Sequence, residues 1–198
     1  CGSGGSEPTP TPVPLETVQL DVPYHSQTYE YTCGAVCAWM YIENLGNRIG
    51  FWHELPEDPE TELYNFFEVN GYNYWTINGE YSTGLNDRLY YYTLTPESEY
   101  TMMYYGLEDS FDTMLDMQTL LIDYGEPSIV GLEVSPGMHH GVVLVGYKRN
   151  TETGEIVVLI AHDPDDKAGR EYSIDEWYTL TISDYRTLLW LFVAKEDL

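Results

Sequence analysis

Positive charge is scarce in this 198-residue chain, which carries 8 Lys and Arg against 33 Asp and Glu and has a formal net charge of −25 at pH 7. Because nucleic acids and anionic lipids are bound through clustered Lys and Arg, this balance argues against both as main partners. Cysteine is also rare, and three cysteines cannot form a disulfide framework. The longest apolar runs, around residues 141–147 and 156–161, have the length of a strand and fall short of the ~20 residues of a membrane span.

The remaining composition is that of a folded domain. Hydrophobic residues make up 43% of the chain, and 19 residues are tyrosine, so a sizeable core can form and general disorder is excluded. The length suits one domain with a short appendage, and we expect a monomer.

Residues 1–16 form the predicted appendage. Gly and Ser followed by Thr-Pro repeats predict a flexible piece and then a stiffer, extended spacer. A chain that starts at Cys1 and continues into such a spacer resembles a bacterial lipoprotein after signal-peptide cleavage. The resemblance implies an extracytoplasmic domain, residues 17–198, that contacts the membrane only through a lipid on Cys1. A cloning remnant, in which Cys1 is accidental, is the alternative.

Apolar residues at helical spacing predict three main helices, at residues 33–46, 60–70 and 110–124, with Gly46, Gly71 and Gly125 at their ends. Residues 72–105 are rich in Tyr, Asn, Thr and Gly and predict only a short helix near 85–91. Strands are predicted at 15–22, 128–134, 140–148, 155–162 and 186–194, with a hairpin turn at 150–154. A capping box at Ser173 predicts a short helix through Trp177. Helices followed by an antiparallel sheet indicate the α+β class.

Four residues in this pattern have the chemistry of nucleophilic catalysis. Cys33 opens a helix, where free N–H groups and the helix dipole favour the thiolate. Its own N–H and the side chain of Gln27, six residues earlier, can donate to an oxyanion. His140 heads one strand and Asp163 ends the next, so a hairpin can place the two side chains together.

These residues and their neighbours resemble the papain-like cysteine peptidases, in particular the double-glycine-leader (bacteriocin-processing) peptidases and their extracytoplasmic relatives. The matching segments are residues 22–27, 33–35, 140, 142–147 and 163–164. The resemblance implies a papain-like fold over most of residues 17–198. It also implies that Cys33 is the nucleophile, His140 the general base and then acid, Asp163 the residue that orients the imidazole, and Gln27 an oxyanion donor.

Other residues of this region allow competing assignments. Strand alternation turns only one of His139 and His140 toward the helix, and the register of residues 142–145 favours His140 as the residue that the family resemblance matches. Cys37, one turn after Cys33, is expected to pack in the core rather than to form a strained bridge. The His, Asp and Cys residues of the region could in principle bind a metal, but they lack the spacing of calcium loops and zinc motifs, and we expect no metal and no cofactor. His25 and His53 are expected to be surface or loop residues.

The sequence therefore predicts a peptidase that hydrolyses a basic or neutral peptide or protein through a thioester acyl-enzyme. Two alternatives stay open. The acyl group could pass to an amine, as in a transamidase, or the enzyme could be a cell-wall amidase. The second alternative is a surface binding module that has no activity. It is compatible with the unusual Tyr-rich segment and with Gly141, which occupies a position that is often aromatic in such relatives.

Overall fold

The computed structural model describes residues 13–72, 79–94, 100–105, 111–182 and 189–194. The described elements, in chain order, are β1 (Leu15–Gln19), α1 (Cys33–Ile49), α2 (Pro59–Val69), α3 (Gly79–Thr93), β2 (Tyr100–Tyr105), α4 (Phe111–Asp123), β3 (Ser128–Ser135), β4 (Met138–Asn150), β5 (Ile156–His162), β6 (Arg170–Ser173), α5 (Ile174–Ile182) and β7 (Leu189–Ala194). The α+β class is confirmed.

The seven described strands join one antiparallel sheet, in which six follow the order β2-β7-β3-β4-β5-β6 and β1 pairs with β4 off this path. The 13-residue strand β4 lies at the centre of these pairings. Along one edge of β4, β3 pairs with its first half and β1 pairs with its second half. On the other edge, β5 begins to pair only where Val143 lies opposite His162. The start of β4, which includes His140, therefore extends past the end of β5.

The sheet is covered on both faces. Val143 and Val145 of β4 belong to a core that contains α1, α2 and α3, whereas Val142 and Leu144 belong to a second core that contains α4 and α5. Successive residues of a strand point to opposite faces, so a strand buried on both faces is apolar at every position. This double burial explains the uninterrupted apolar run after Gly141.

The ends of two helices differ from expectation. Helix α1 continues through Gly46 to Ile49, and Gly50, with φ of 99°, follows its end. Gly46 is needed inside the helix because a Cβ there would overlap the ring of Phe51. Helix α3 is longer than the short helix predicted near residues 85–91, and β2 and β6 were not predicted.

The other boundaries agree closely with the sequence pattern. The N–H of Glu176 donates to Ser173 Oγ at 3.2 Å, as the capping box predicted, although α5 extends beyond Trp177. Residues 1–12 of the predicted tether and residues 186–188 of the predicted last strand lie outside the described residues, while Leu15 and Glu16 already pair with β4. No helix in the described ranges is long and apolar enough to cross a membrane.

Candidate active site

Cys33 is the first residue of α1, and a buried carboxylate fixes the loop that precedes it. Glu60 of α2, only 3% exposed, accepts hydrogen bonds from the backbone N–H groups of Thr28 and Tyr29 at 2.9 and 3.2 Å. It also accepts a hydrogen bond from the Thr32 hydroxyl, with 2.5 Å between the two oxygens. The Thr32 side chain makes no capping bond to α1, and its hydroxyl instead donates to Glu60, which holds the loop to α2. In the sequence, Glu60 looks like an ordinary exposed residue at the start of a helix, and sequence reasoning therefore missed it.

The surroundings of Cys33 favour its thiolate. Burial alone disfavours the charged form, but the hydrogen bond and the charge of His140 outweigh it, and the net effect lowers the pKa of the Cys33 thiol from its usual value near 9. Backbone N–H groups of Gly141 and Gly34 act in the same direction, and the first lies 3.4 Å from Cys33 Sγ. Donors aimed at sulfur stabilise negative charge there.

His140 stands between this thiol and Asp163. Its Nε2 lies 2.6 Å from Asp163 Oδ1, and the carboxylate is only 2% exposed. Burial opposes a charged imidazole, but the hydrogen bond to Asp163 and the interaction with Cys33 prevail and raise the pKa of His140 to about 10. The pKa of Asp163 falls to about 2 despite its burial, because His140 stabilises the carboxylate. These opposite shifts describe a thiolate–imidazolium pair held by an ionised carboxylate.

Asp163 is itself held by three further donors. Its Oδ2 accepts hydrogen bonds from the Tyr172 hydroxyl and from Arg170 Nη1, each at 3.0 Å, and its Oδ1 accepts the N–H of Asp165 at 3.1 Å. The Arg170 guanidinium also lies over the Tyr172 ring, 4.6 Å from its centroid. Both side chains come from β6, a four-residue strand with no sequence signal, so sequence reasoning found neither of them.

The structure places His140, and not His139, against Asp163, but for a reason other than strand alternation. Val143 and Val145 of β4 face the core that contains α1, so alternation alone would turn His139 toward that helix. What decides is the end of β5: pairing stops at Val143 and His162, and Asp163 follows directly. His140 therefore meets Asp163 beyond the last paired residues.

Gln27 lies beside the same loop. Its backbone N–H donates to Pro164 O at 2.9 Å, and its Nε2 donates to Asp165 Oδ1 at 3.3 Å. Its Oε1 is buried and has no hydrogen-bond partner. The structure thus brings Gln27 to the segment that follows Asp163, and the described contacts of its side chain are with Asp165.

Cys37 is fully buried in the core, as predicted. Burial, then the neighbouring Cys33 and Asp163, raise its pKa well above the usual value, so it stays a thiol. Gly141 lies over both cysteines: a Cβ there would sit 3.4 Å from Cys37 Sγ and 3.7 Å from the Cys33 backbone. An alanine methyl group would make ordinary van der Waals contacts here, whereas a larger side chain would run into α1, so the position is restricted to small residues.

Two other histidines have structural partners. His25 lies in the loop between β1 and α1, in line with the prediction, where its ring stacks on Trp39 at 3.6 Å and its Nε2 lies 2.5 Å from Glu43 Oε2. His162 has both ring nitrogens engaged by backbone, Nε2 with Val22 O and Nδ1 with the N–H of Gly169. In the part of the chain that the structure describes, no three His, Cys, Asp or Glu side chains are grouped to hold a metal ion.

A comparison with known families gives this arrangement a context. The family model of the Peptidase_C39 like family matches residues 19–188, and the chain belongs to that family. The match confirms the expected class of cysteine-peptidase-like proteins and, with the helices and antiparallel sheet described above, the papain-like α+β fold. A search of curated proteins found no match to the sequence.

Proposed function

We propose that this protein is a cysteine peptidase that hydrolyses peptide bonds through Cys33, His140 and Asp163. The observation that carries the proposal is the 2.6 Å contact between His140 Nε2 and Asp163 Oδ1, made beside a Cys33 thiol whose pKa is lowered. Membership of the Peptidase_C39 like family supports the same reaction class. A thiolate with an oriented imidazole is the arrangement that nucleophilic catalysis by cysteine requires.

The two ring nitrogens of His140 divide the work. Nε2 is bound to Asp163, so Nδ1 is the nitrogen left to take the Cys33 proton. The thiolate attacks the peptide carbonyl carbon and forms a C–S bond, while the carbonyl oxygen becomes an oxyanion. His140 then donates its proton to the leaving amine, the C–N bond breaks, and a thioester remains. His140 next removes a proton from water, which attacks the thioester and releases the acid and Cys33.

Two donors are available for the oxyanion. The N–H of Cys33 lies in the first turn of α1, where backbone N–H groups have no acceptor within the helix. The Gln27 amide carries two N–H bonds, and the contact with Asp165 uses one of them. We assign these two groups to the oxyanion, as in the sequence-based hypothesis.

The network around Asp163 weighs against a binding module without turnover. An ionised carboxylate at 2% exposure is costly unless it is fully hydrogen-bonded, and here four donors converge on it. A surface used only for docking gains nothing from a thiolate–imidazolium pair beneath it.

Hydrolysis of a mixed fluorogenic peptide library tests the proposal. We expect the reduced wild-type protein to cleave part of the library and Cys33→Ala and His140→Ala to lose at least about 10³-fold in rate. A fluorescent amine added to the same reaction separates hydrolysis from acyl transfer, because a strict peptidase incorporates none of it. Equal, background turnover by wild type and Cys33→Ala would contradict the proposal.

The lipid anchor at Cys1 and an extracytoplasmic location complete the proposal. The Gly/Ser and Thr-Pro composition of residues 2–14 supports a tether of this kind. Labelling with an alkynyl fatty acid in the native cell should mark the wild-type protein and not Cys1→Ser. An unlabelled wild-type protein would remove the anchor from the proposal.

A further inference from the structure

A groove begins one residue from the proposed nucleophile. It has a volume of about 360 Å³ and lies between the loop that precedes α1 and the first turns of α2. Its lining residues are Tyr29, Glu30, Thr32, Thr61, Tyr64 and Asn65. Thr32 precedes Cys33 directly, and adjacent Cα atoms are ~3.8 Å apart, so the groove begins within a side chain's length of the Cys33 backbone.

The walls of the groove combine aromatic rings with negative charge. Tyr29 and Tyr64 provide the rings, and Tyr29 is 53% exposed. Glu30 is exposed, and none of the ion pairs among the described residues involves its carboxylate. None of the described residues that line the groove is basic. A cation between aromatic faces and a carboxylate gains both cation–π and ionic attraction.

A second carboxylate lies next to the groove. Glu60, buried beside the lining residue Thr61, holds the backbone of Thr28 and Tyr29 and the hydroxyl of Thr32. These bonds fix two of the residues that line the groove, so its shape is set before a substrate arrives. Such preorganisation lowers the cost of binding.

We infer that the groove formed by Tyr29, Glu30, Tyr64 and Asn65 is a specificity subsite for a Lys or Arg side chain of the peptide substrate. The inference rests on the proposed peptidase function for the identity of the substrate. Glu30 binds the ammonium or guanidinium group, the tyrosine rings cover its alkyl stem, and the Asn65 amide oxygen accepts a further hydrogen bond. The acidic character of the whole chain adds attraction at longer range.

Alkylation of Cys33 tests the subsite without any need for peptide hydrolysis. Two bromoacetamide reagents of equal length are compared, one ending in a guanidinium and the other in a neutral urea group. In both, Cys33 sulfur forms a bond to the methylene carbon and bromide leaves. We expect the guanidinium reagent to react faster with wild type, and Glu30→Gln to reduce the rate ratio about three- to tenfold. Tyr29→Leu should also reduce the ratio, whereas Tyr29→Phe should keep it.

Glu152→Gln, the same change in the exposed β4–β5 turn, is the matched control and should leave the ratio unaltered. The second readout uses pairs of peptides in which one residue near the scissile bond is either Lys or norleucine. The kcat/KM of the Lys peptide is divided by that of the norleucine peptide. A reagent ratio that is the same in Glu30→Gln and wild type would overturn the subsite, even if the enzyme cleaves peptides. A Glu30-dependent ratio with no peptide cleavage would instead leave the subsite standing and reject the peptidase function.

Discussion

Replacing Asp163 with Asn should separate the charge of this side chain from its shape. The substitution keeps the size of the side chain and an acceptor for Tyr172 and Arg170, but it removes the negative charge 2.6 Å from His140 Nε2. A hydrogen bond to a charged group contributes about 1.5–3 kcal/mol, and one pKa unit corresponds to 1.36 kcal/mol. We therefore expect the pKa of His140 to fall by about 1–2 units from its value of about 10.

The pKa of Cys33 must respond in the opposite direction, because its lowering depends on charged His140. A less basic imidazole takes the thiol proton less readily, so the neutral thiol–imidazole pair gains population over the thiolate–imidazolium pair. The pKa of Cys33 therefore rises toward its usual value. Only the thiolate is alkylated, and the effect therefore appears at low pH. At pH 6 we expect Asp163→Asn to react with iodoacetamide at least about tenfold more slowly than wild type. At pH 10 the two proteins should react at similar rates.

The assay is the rate of Cys33 carboxamidomethylation between pH 5 and 10, followed by mass spectrometry. His140→Ala should show the steepest loss at low pH, with a simple titration near pH 8.5–9. Asp166→Asn is the matched control, because the Asp166 carboxylate lies 3.6 Å from Arg170 and no ion pair or hydrogen bond among the described residues joins it to His140. The reasoning is refuted if the Asp163→Asn profile superimposes on that of wild type at pH 6, or if Asp166→Asn shifts the profile equally.

Three further substitutions have defined outcomes. Tyr172→Phe removes one donor from buried Asp163 and keeps the ring, so urea unfolding at pH 7 should show a loss of about 1–3 kcal/mol, and an unchanged stability would contradict the network. Glu60→Gln weakens the hydrogen bonds that fix the loop before Cys33, so kcat should fall while the circular dichroism spectrum stays close to that of wild type. An unchanged kcat would show that catalysis does not depend on these hydrogen bonds. Cys37→Ala should lower the unfolding free energy by about 1 kcal/mol and leave Cys33 alkylation unchanged, whereas a slower alkylation would assign Cys37 a part in the site.

The parts of the site that depend on local pattern could be predicted from the sequence. Cys33 at a helix start follows from the apolar spacing of the residues after it, and the approach of His140 and Asp163 follows from the hairpin between two adjacent strands. Both features arise from interactions along or between neighbouring elements, which leave a periodic trace in the chain.

The supporting residues leave no such trace. Arg170 and Tyr172 reach Asp163 from a short strand at the sheet edge, and Glu60 reaches the Cys33 loop from another helix. Their roles depend on which element packs beside which, and a carboxylate on a helix start looks the same whether it is buried or solvated. The choice of His140 shows the same limit, because it depends on where β5 ends rather than on strand parity.

The distance along the chain between the reacting groups has a consequence for the newly made protein. Gly141, whose N–H meets the Cys33 sulfur, follows that cysteine by 108 positions, and Tyr172 comes later still. During synthesis Cys33 therefore emerges as an ordinary thiol and stays one until the C-terminal half has been made and the sheet has closed. A ribosome-bound or truncated chain that ends before β6 lacks the residues that hold Asp163 against His140. Such a chain therefore cannot cleave its own unfolded segments through Cys33. The order of the residues delays reactivity until folding is almost complete.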